Sequence, residues 1–208
     1  MKIICAFKYE LYMDETLRAA LSRNAGCRRF VFNKALDIQN ERKEKGEKLL
    51  TYSQLYRELV LWKKQPETAF LREAISQPLQ QALRDLDRAI SDSFRPMSDP
   101  ARKGWPKFKA KDIGDGFRIP QFEQEHIDDA NGRVKLPKIG WVRYRKTRPI
   151  AFPSADGTLV PGVVKQIHIK KDCGRWFVNF TTEFEIEAPE MKALDVGIDV
   201  GVVHAVTT

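Results

Sequence analysis

Apolar and polar side chains alternate along residues 2–12, KIICAFKYELY, with aromatic and β-branched enrichment. A period of two predicts a half-buried strand. The period then lengthens. Asp14 is placed to cap a helix whose apolar stripe is Leu17, Ala20 and Leu21, with Gly26 expected to break or bend it. A second helix is predicted from Cys27 on a face of Phe30, Val31, Ala35 and Ile38, stopping near Gly46. Thr51 or Ser53 opens a third through Leu55, Leu59 and Trp62, ending before Pro66. Ser76 caps a fourth, with Pro78 in its first turn and Leu79, Leu83, Leu86, Ile90 and Phe94 along one face.

After Pro96 the helical period disappears. Short strand patterns replace it, punctuated by Gly and Pro: FRIP at 117–120, RVKLP at 133–137 and WVRYR at 141–145. VVKQIHI at 163–169 and RWFVNFTTEFEI at 175–186 alternate cleanly, and Lys171, Asp172, Cys173 and Gly174 between them predict a hairpin. The order strand, helices, strands gives an α+β fold. The lone first strand is expected to pair with later ones and close a small barrel from which a helical bundle over residues 14–95 projects.

Composition narrows the class. A 208-residue chain with 42% hydrophobic residues can bury real cores. It has no run of 18 apolar residues and no signal-peptide pattern, so a cytoplasmic protein is expected, with no membrane partner. Cys5, Cys27 and Cys173 are odd in number and far apart, which points to neither a disulfide framework nor a zinc ribbon.

The net charge of +8 is concentrated in the middle: residues 101–150 carry thirteen basic and six acidic side chains. Such an excess favours a polyanion, because Lys and Arg release condensed counterions from phosphates. RKGWPKFKAK, residues 102–111, interleaves Trp105 and Phe108 with Arg102, Lys103, Lys107, Lys109 and Lys111, cations to follow a backbone and rings to stack on bases or anchor the loop. Residues 133–148 add Arg133, Lys135, Lys138, Arg143, Arg145, Lys146 and Arg148 without one acid. In WVRYR the alternation places Arg143 and Arg145 on one face, opposite Val142 and Tyr144. The alternative is that these cations pair with Asp128, Asp129 or the acidic C-terminal third. Arg118, in FRIP, is a further candidate.

His126, His168 and His204 show no metal-ligand spacing. Glu183, Glu185 and Glu187 fall on alternate positions and read as a solvated strand face. A transposase with a covalent Tyr nucleophile is disfavoured, because no His pair accompanies any Tyr. GIDVG at 197–201 sets Asp199 between small residues and two apolar strands, the form in which an RNase H-like core presents a metal-binding carboxylate.

In KYELY, CRRFVFNKAL at 27–36, SQPLQQALRDLDRAI at 76–90, GWPKFKAK, FRIPQ, LPKIGWVRYRKTRPI, GRWFVNF and GIDVG, the chain resembles the OrfB/TnpB family of transposon-encoded RNA-guided DNA nucleases. The resemblance implies an oligonucleotide-binding-type barrel, the wedge domain, from residues 1–13 and 96–190. It also implies an inserted helical recognition domain over 14–95 and the start of an RNase H-like RuvC domain at 191–208. The implied partners are a guide RNA from the same element and target double-stranded DNA, with no small-molecule substrate. Asp199 matches the first catalytic carboxylate, a ligand of Mg²⁺. Two-metal hydrolysis needs several carboxylates holding ions about 3.5–4 Å apart. The family's other two, and its four-cysteine zinc ribbon, belong to sequence absent from these 208 residues, so the chain alone is expected to bind without cutting. A stand-alone RNA- or DNA-binding regulator, or a truncated relic, is the alternative.

Overall fold

The computed structural model describes residues 1–111, 113–154 and 157–186. The first strand, β1 (Lys2–Glu10), runs antiparallel to the last described strand, β9 (Arg175–Glu185), from Lys2 opposite Glu185 to Glu10 opposite Phe177. The expected pairing of the first strand with a later one is therefore present. β9 also pairs with β8 (Val163–Asp172), and β8 with β2 (Gly116–Ile119), giving the order β1-β9-β8-β2. Trp176, Val178, Phe180 and Phe184 of β9 are buried alongside Ile167 and Ile169 of β8 and Phe7 and Tyr9 of β1. The period of two thus separates a core face from a wet one. On the wet face Lys2 pairs with Glu183 and Glu185 at 3.1 and 3.4 Å, the solvated strand face expected of those acids. Glu187 lies outside the described residues. The β8–β9 turn is Cys173-Gly174, both at positive φ (46° and 77°), the geometry that matches the strands' twist.

A second sheet, β3 (Ile127–Asp128), β4 (Arg133–Leu136) and β5 (Gly140–Arg143), meets the first, among the described residues, at a single bridge, Leu11 to Tyr144. The Tyr12 N–H donates to the Arg143 carbonyl at 3.0 Å and the Arg145 N–H to the Glu10 carbonyl at 2.7 Å on either side of it. A ribbon of β6 (Ala151–Pro153) and β7 (Leu159–Pro161) completes the strands. The expected closed barrel is corrected: among the described residues no ladder returns from β2 to β3. β2 has four residues and runs into Pro120, which has no N–H to continue a ladder.

The helical part also departs from expectation, most of all at Gly26. α1 (Glu15–Glu44) is a single unbroken helix of 30 residues that passes through Gly26, and the Leu17 N–H bonds to the Asp14 cap at 2.7 Å. A glycine within a helix costs about 1 kcal/mol. Each large apolar side chain that the helix buries on either side returns about 1.5–3 kcal/mol. Packing wins because α1 serves two cores: Leu21 and Ala25 belong to the sheet's cluster, Val31, Phe32, Ala35 and Leu36 to the helical one, and Gly26 stands at the crossover. The helix ends at Glu44, with Gly46 at φ 68°.

α2 (Tyr52–Trp62) opens with the Thr51 cap and a reciprocal capping box with Gln54, and buries Leu55, Leu59 and Trp62 as predicted. A 3-10 turn over Pro66–Arg72 leads to α3 (Ser76–Ser93), which buries Leu79, Leu83, Leu86 and Ile90. Its cap position is Ile75 rather than Ser76. No side chain caps the first turn of α3; the Ile75 N–H itself donates to the buried Asn24 side-chain oxygen at 2.8 Å, which ties the start of α3 to α1. Phe94, expected on the apolar face, falls past the end of α3, is 66% exposed, and meets Trp105 edge-on. No helix among the described residues is long and apolar enough to cross a membrane.

Candidate nucleic-acid interface

The basic segment 102–111 is an extended strap laid along α1. The Trp105 indole N–H donates to Asn40 Oδ1 at 2.8 Å. Asn33 holds the Lys109 backbone from both sides, donating to its carbonyl at 3.0 Å and accepting from its N–H at 2.8 Å. Asn33 and Asn40 are two helical turns apart, about 10.5 Å along the axis. Four extended residues from Trp105 to Lys109 span about 13 Å, so strap and helix run nearly in register. Lys43 places its ammonium 3.9 Å from the centre of the Trp105 ring, and Lys109 places its own 4.4 Å from that of Phe32. Partial burial lowers the Lys109 pKa, and nearby Arg28 lowers it further. Trp105 and Lys109 therefore fasten the strap. Lys107, Phe108 and Lys111 are exposed, Phe108 by 55%.

The remaining sequence candidates separate by what they touch. Lys103 pairs with Asp92 at 3.5 Å, and Arg102 borders a hollow of about 580 Å³ beside Trp105. Arg118 reaches Asp85 at 2.8 Å, and Arg28 reaches the other oxygen of the same carboxylate at 3.0 Å, tying β2 and α1 to α3. His168 lies beneath this cluster, its pKa lowered by burial and by Arg28 and Arg118. Lys138, at φ 63°, donates to the Arg72 and Ala74 carbonyls at 2.5 and 3.0 Å, satisfying the end of the 3-10 turn. Arg133 grips Asp128 at 2.6 Å, and that bond, with Asn131, holds the Asp128 pKa down to about 2. Lys146 reaches Asp129 at 3.0 Å.

The alternation of WVRYR is realised: Val142 and Tyr144 are buried while Arg143 and Arg145 face solvent. Arg143 lies 5.6 Å from the centre of the Tyr12 ring, and Arg148 lies 5.0 Å from that of Phe7. Arg102, Lys107, Lys111, Arg143, Arg145 and Arg148 make no ion pair with a described carboxylate. Their charge is available to a partner. The residues that organise the site, Asn33, Asn40, Arg28 and Asp85, carry no local signal beyond being polar at helical spacing.

Glu123, Glu125 and His126 bring one ligand atom each within 4.8 Å of one another on an exposed loop. Asp199, His204 and the GIDVG segment lie outside the described residues.

Residues 1–48 match the family HTH_OrfB_IS605, described as "Helix-turn-helix domain". Along the whole chain it is 39% identical to "Putative RNA-guided DNA endonuclease InsQ" of Escherichia coli (strain K12), of which it covers 48%. The chain belongs to the OrfB/TnpB family. A Streptomyces pristinaespiralis protein described as "Putative RNA-guided DNA endonuclease" is 33% identical over 97% of the chain and 47% of its own length. This OrfB/TnpB chain thus spans about half the length of the curated relatives it matches. Over the residues matched as helix-turn-helix it has one strand and one continuous helix, with no turn inside α1.

Proposed function

We propose that this chain is the nucleic-acid-binding portion of a transposon-associated RNA-guided DNA endonuclease. The observation that carries the reading is the strap: a helix-mounted segment whose two anchors point inward while Lys107, Phe108 and Lys111 point to solvent. Arg143 and Arg145, exposed and paired with no described carboxylate, add a second basic element. The sheet part, residues 1–13 and 96–190, acts as the wedge, and residues 14–95 as the recognition part. The partners are a guide RNA and target double-stranded DNA, met in the cytoplasm or nucleoid. Residues 191–208 begin a RuvC-like part in which Asp199 supplies one carboxylate to Mg²⁺, the ion that activates phosphodiester hydrolysis.

Binding of a structured RNA, followed by fluorescence anisotropy across salt concentrations, tests this reading. Replacing Lys107, Lys111, Arg143 and Arg145 by Ala is expected to weaken binding at least tenfold and flatten the salt dependence by up to about three units of slope. Lys109 is left in place because it fastens the strap. Asp199→Ala is expected to leave affinity unchanged. An unaltered salt slope in the quadruple variant would overturn the assignment.

A further inference from the structure

Two adjoining hollows, of about 470 and 600 Å³, flank the junction between β1 and α1 and share Tyr12 and Met13 in their walls. Hollows of about 300–1,000 Å³ are the size that takes small ligands. Tyr12 is 57% exposed and Trp141 49%, both large rings held open on the surface beside Val142, which is buried. Each ring already has a guanidinium near it: Arg143 lies 5.6 Å from the Tyr12 centroid and Arg133 5.6 Å from that of Trp141. Arg18 and Arg145 line the smaller hollow, and neither pairs with a described carboxylate.

We infer that the β1–α1 junction is a single-strand site, in which Tyr12 and Trp141 stack on unpaired RNA bases while Arg18, Arg143 and Arg145 hold the flanking phosphates. Exposed aromatic platforms interleaved with free cations are what an unpaired polynucleotide requires, and stacking is worth about tenfold to a hundredfold in affinity per base. RNA is favoured over DNA by Asp14. Asp14 is exposed and lines the larger hollow; its Oδ1 accepts the Leu17 N–H, and no described group bonds its other oxygen. A carboxylate there repels phosphate but accepts a bond from a ribose 2′-hydroxyl, a donor that DNA lacks. The inference rests on the nucleic-acid reading above but concerns a different surface from the strap.

The test uses the 208-residue chain and a single-stranded oligoribonucleotide of about ten residues carrying one 2-aminopurine, with the matching deoxyoligonucleotide beside it. The wild type is expected to quench 2-aminopurine in the RNA on binding, and to bind RNA at least tenfold more tightly than DNA. Tyr12→Ala with Trp141→Ala is expected to abolish quenching and weaken RNA binding at least tenfold. Tyr12→Phe with Trp141→Phe retains both, which separates lost stacking from lost folding. Lys107→Ala with Lys111→Ala weakens binding but leaves the quenching at saturation unchanged. Full quenching in the double-alanine variant, or equal affinity for DNA, would overturn the junction site alone. Failure of the wild type to bind any strand would overturn the nucleic-acid reading itself.

Discussion

Asn33 and Lys109 are hydrogen-bonded to each other twice, side-chain amide to both backbone groups of one residue, across 76 positions of sequence. This pair converts an irregular loop into a fixture of α1. Asn33→Ala removes both bonds and is expected to cost about 1 kcal/mol, small because the groups are solvent-accessible. The clearer readout is local. Amide exchange at Lys109 should accelerate strongly while the strand β9 stays protected; unchanged exchange at Lys109 would show that the strap is held by other contacts.

Asp85 is the shared acceptor of Arg28 and Arg118, each on a separate oxygen. Its side chain is 28% exposed, so the pair is partly screened. Asp85→Ala leaves two guanidiniums facing each other with His168 beneath them, and urea unfolding should report a loss of about 1–3 kcal/mol. A loss below about 0.5 kcal/mol would mean that water replaces the carboxylate without penalty.

Two glycines should respond to alanine with opposite signs. At Gly26 the nearest atom to an added Cβ is the Arg29 guanidinium at 3.9 Å, so Gly26→Ala is expected to stabilise α1 by about 0.5–1 kcal/mol. At Gly116 the same atom would lie 2.5 Å from the Ile169 carbonyl oxygen and 3.1 Å from the Lys170 Cα, both backbone. Gly116→Ala should therefore destabilise by about 1–3 kcal/mol as β2 is pushed off β8. Thermal melts of the two variants check the pair.

Asp128 titrates at about 2 in the folded chain because Arg133 and Asn131 bond its charged form, against about 3.9 in an unfolded one. A depressed folded pKa contributes stability that is complete above about pH 4 and is lost as pH falls toward 2. In Asp128→Asn the stability should fall less steeply over that window, by about one proton's worth of slope, with little change in slope near pH 7. An identical acid limb in the variant would show that the Arg133 contact persists unfolded or is too screened to matter.

The long strands were legible because one side of each is buried and the other wet, which writes a period of two into β1, β8 and β9. β3, β6 and β7 have two or three residues each and no period to read. Thr51 announced α2 through a local bond to Gln54. Ser76 misled because α3 begins one residue earlier in the cap sense, at Ile75, whose N–H is held by Asn24, 51 residues before it, a contact no local pattern encodes. Gly26 suggested a break on propensity alone, whereas the helix continues because its two halves are buried in different cores. At the candidate interface the outward face of Arg143 and Arg145 followed from alternation. The alternative that the basic stretch pairs with Asp128 and Asp129 holds for Arg133 and Lys146, whereas the Asp85 partner of Arg118 and the neutral anchors of the strap depend on long-range geometry that composition does not encode.

A helix of 30 residues extends about 45 Å. Because α1 is built into the sheet's core at one end and into the helical core at the other, those two bodies cannot swivel freely without melting a turn near Gly26. A partner that touches both therefore meets a separation set beforehand, and the orientational freedom that two tethered modules would surrender on association has already been given up on folding.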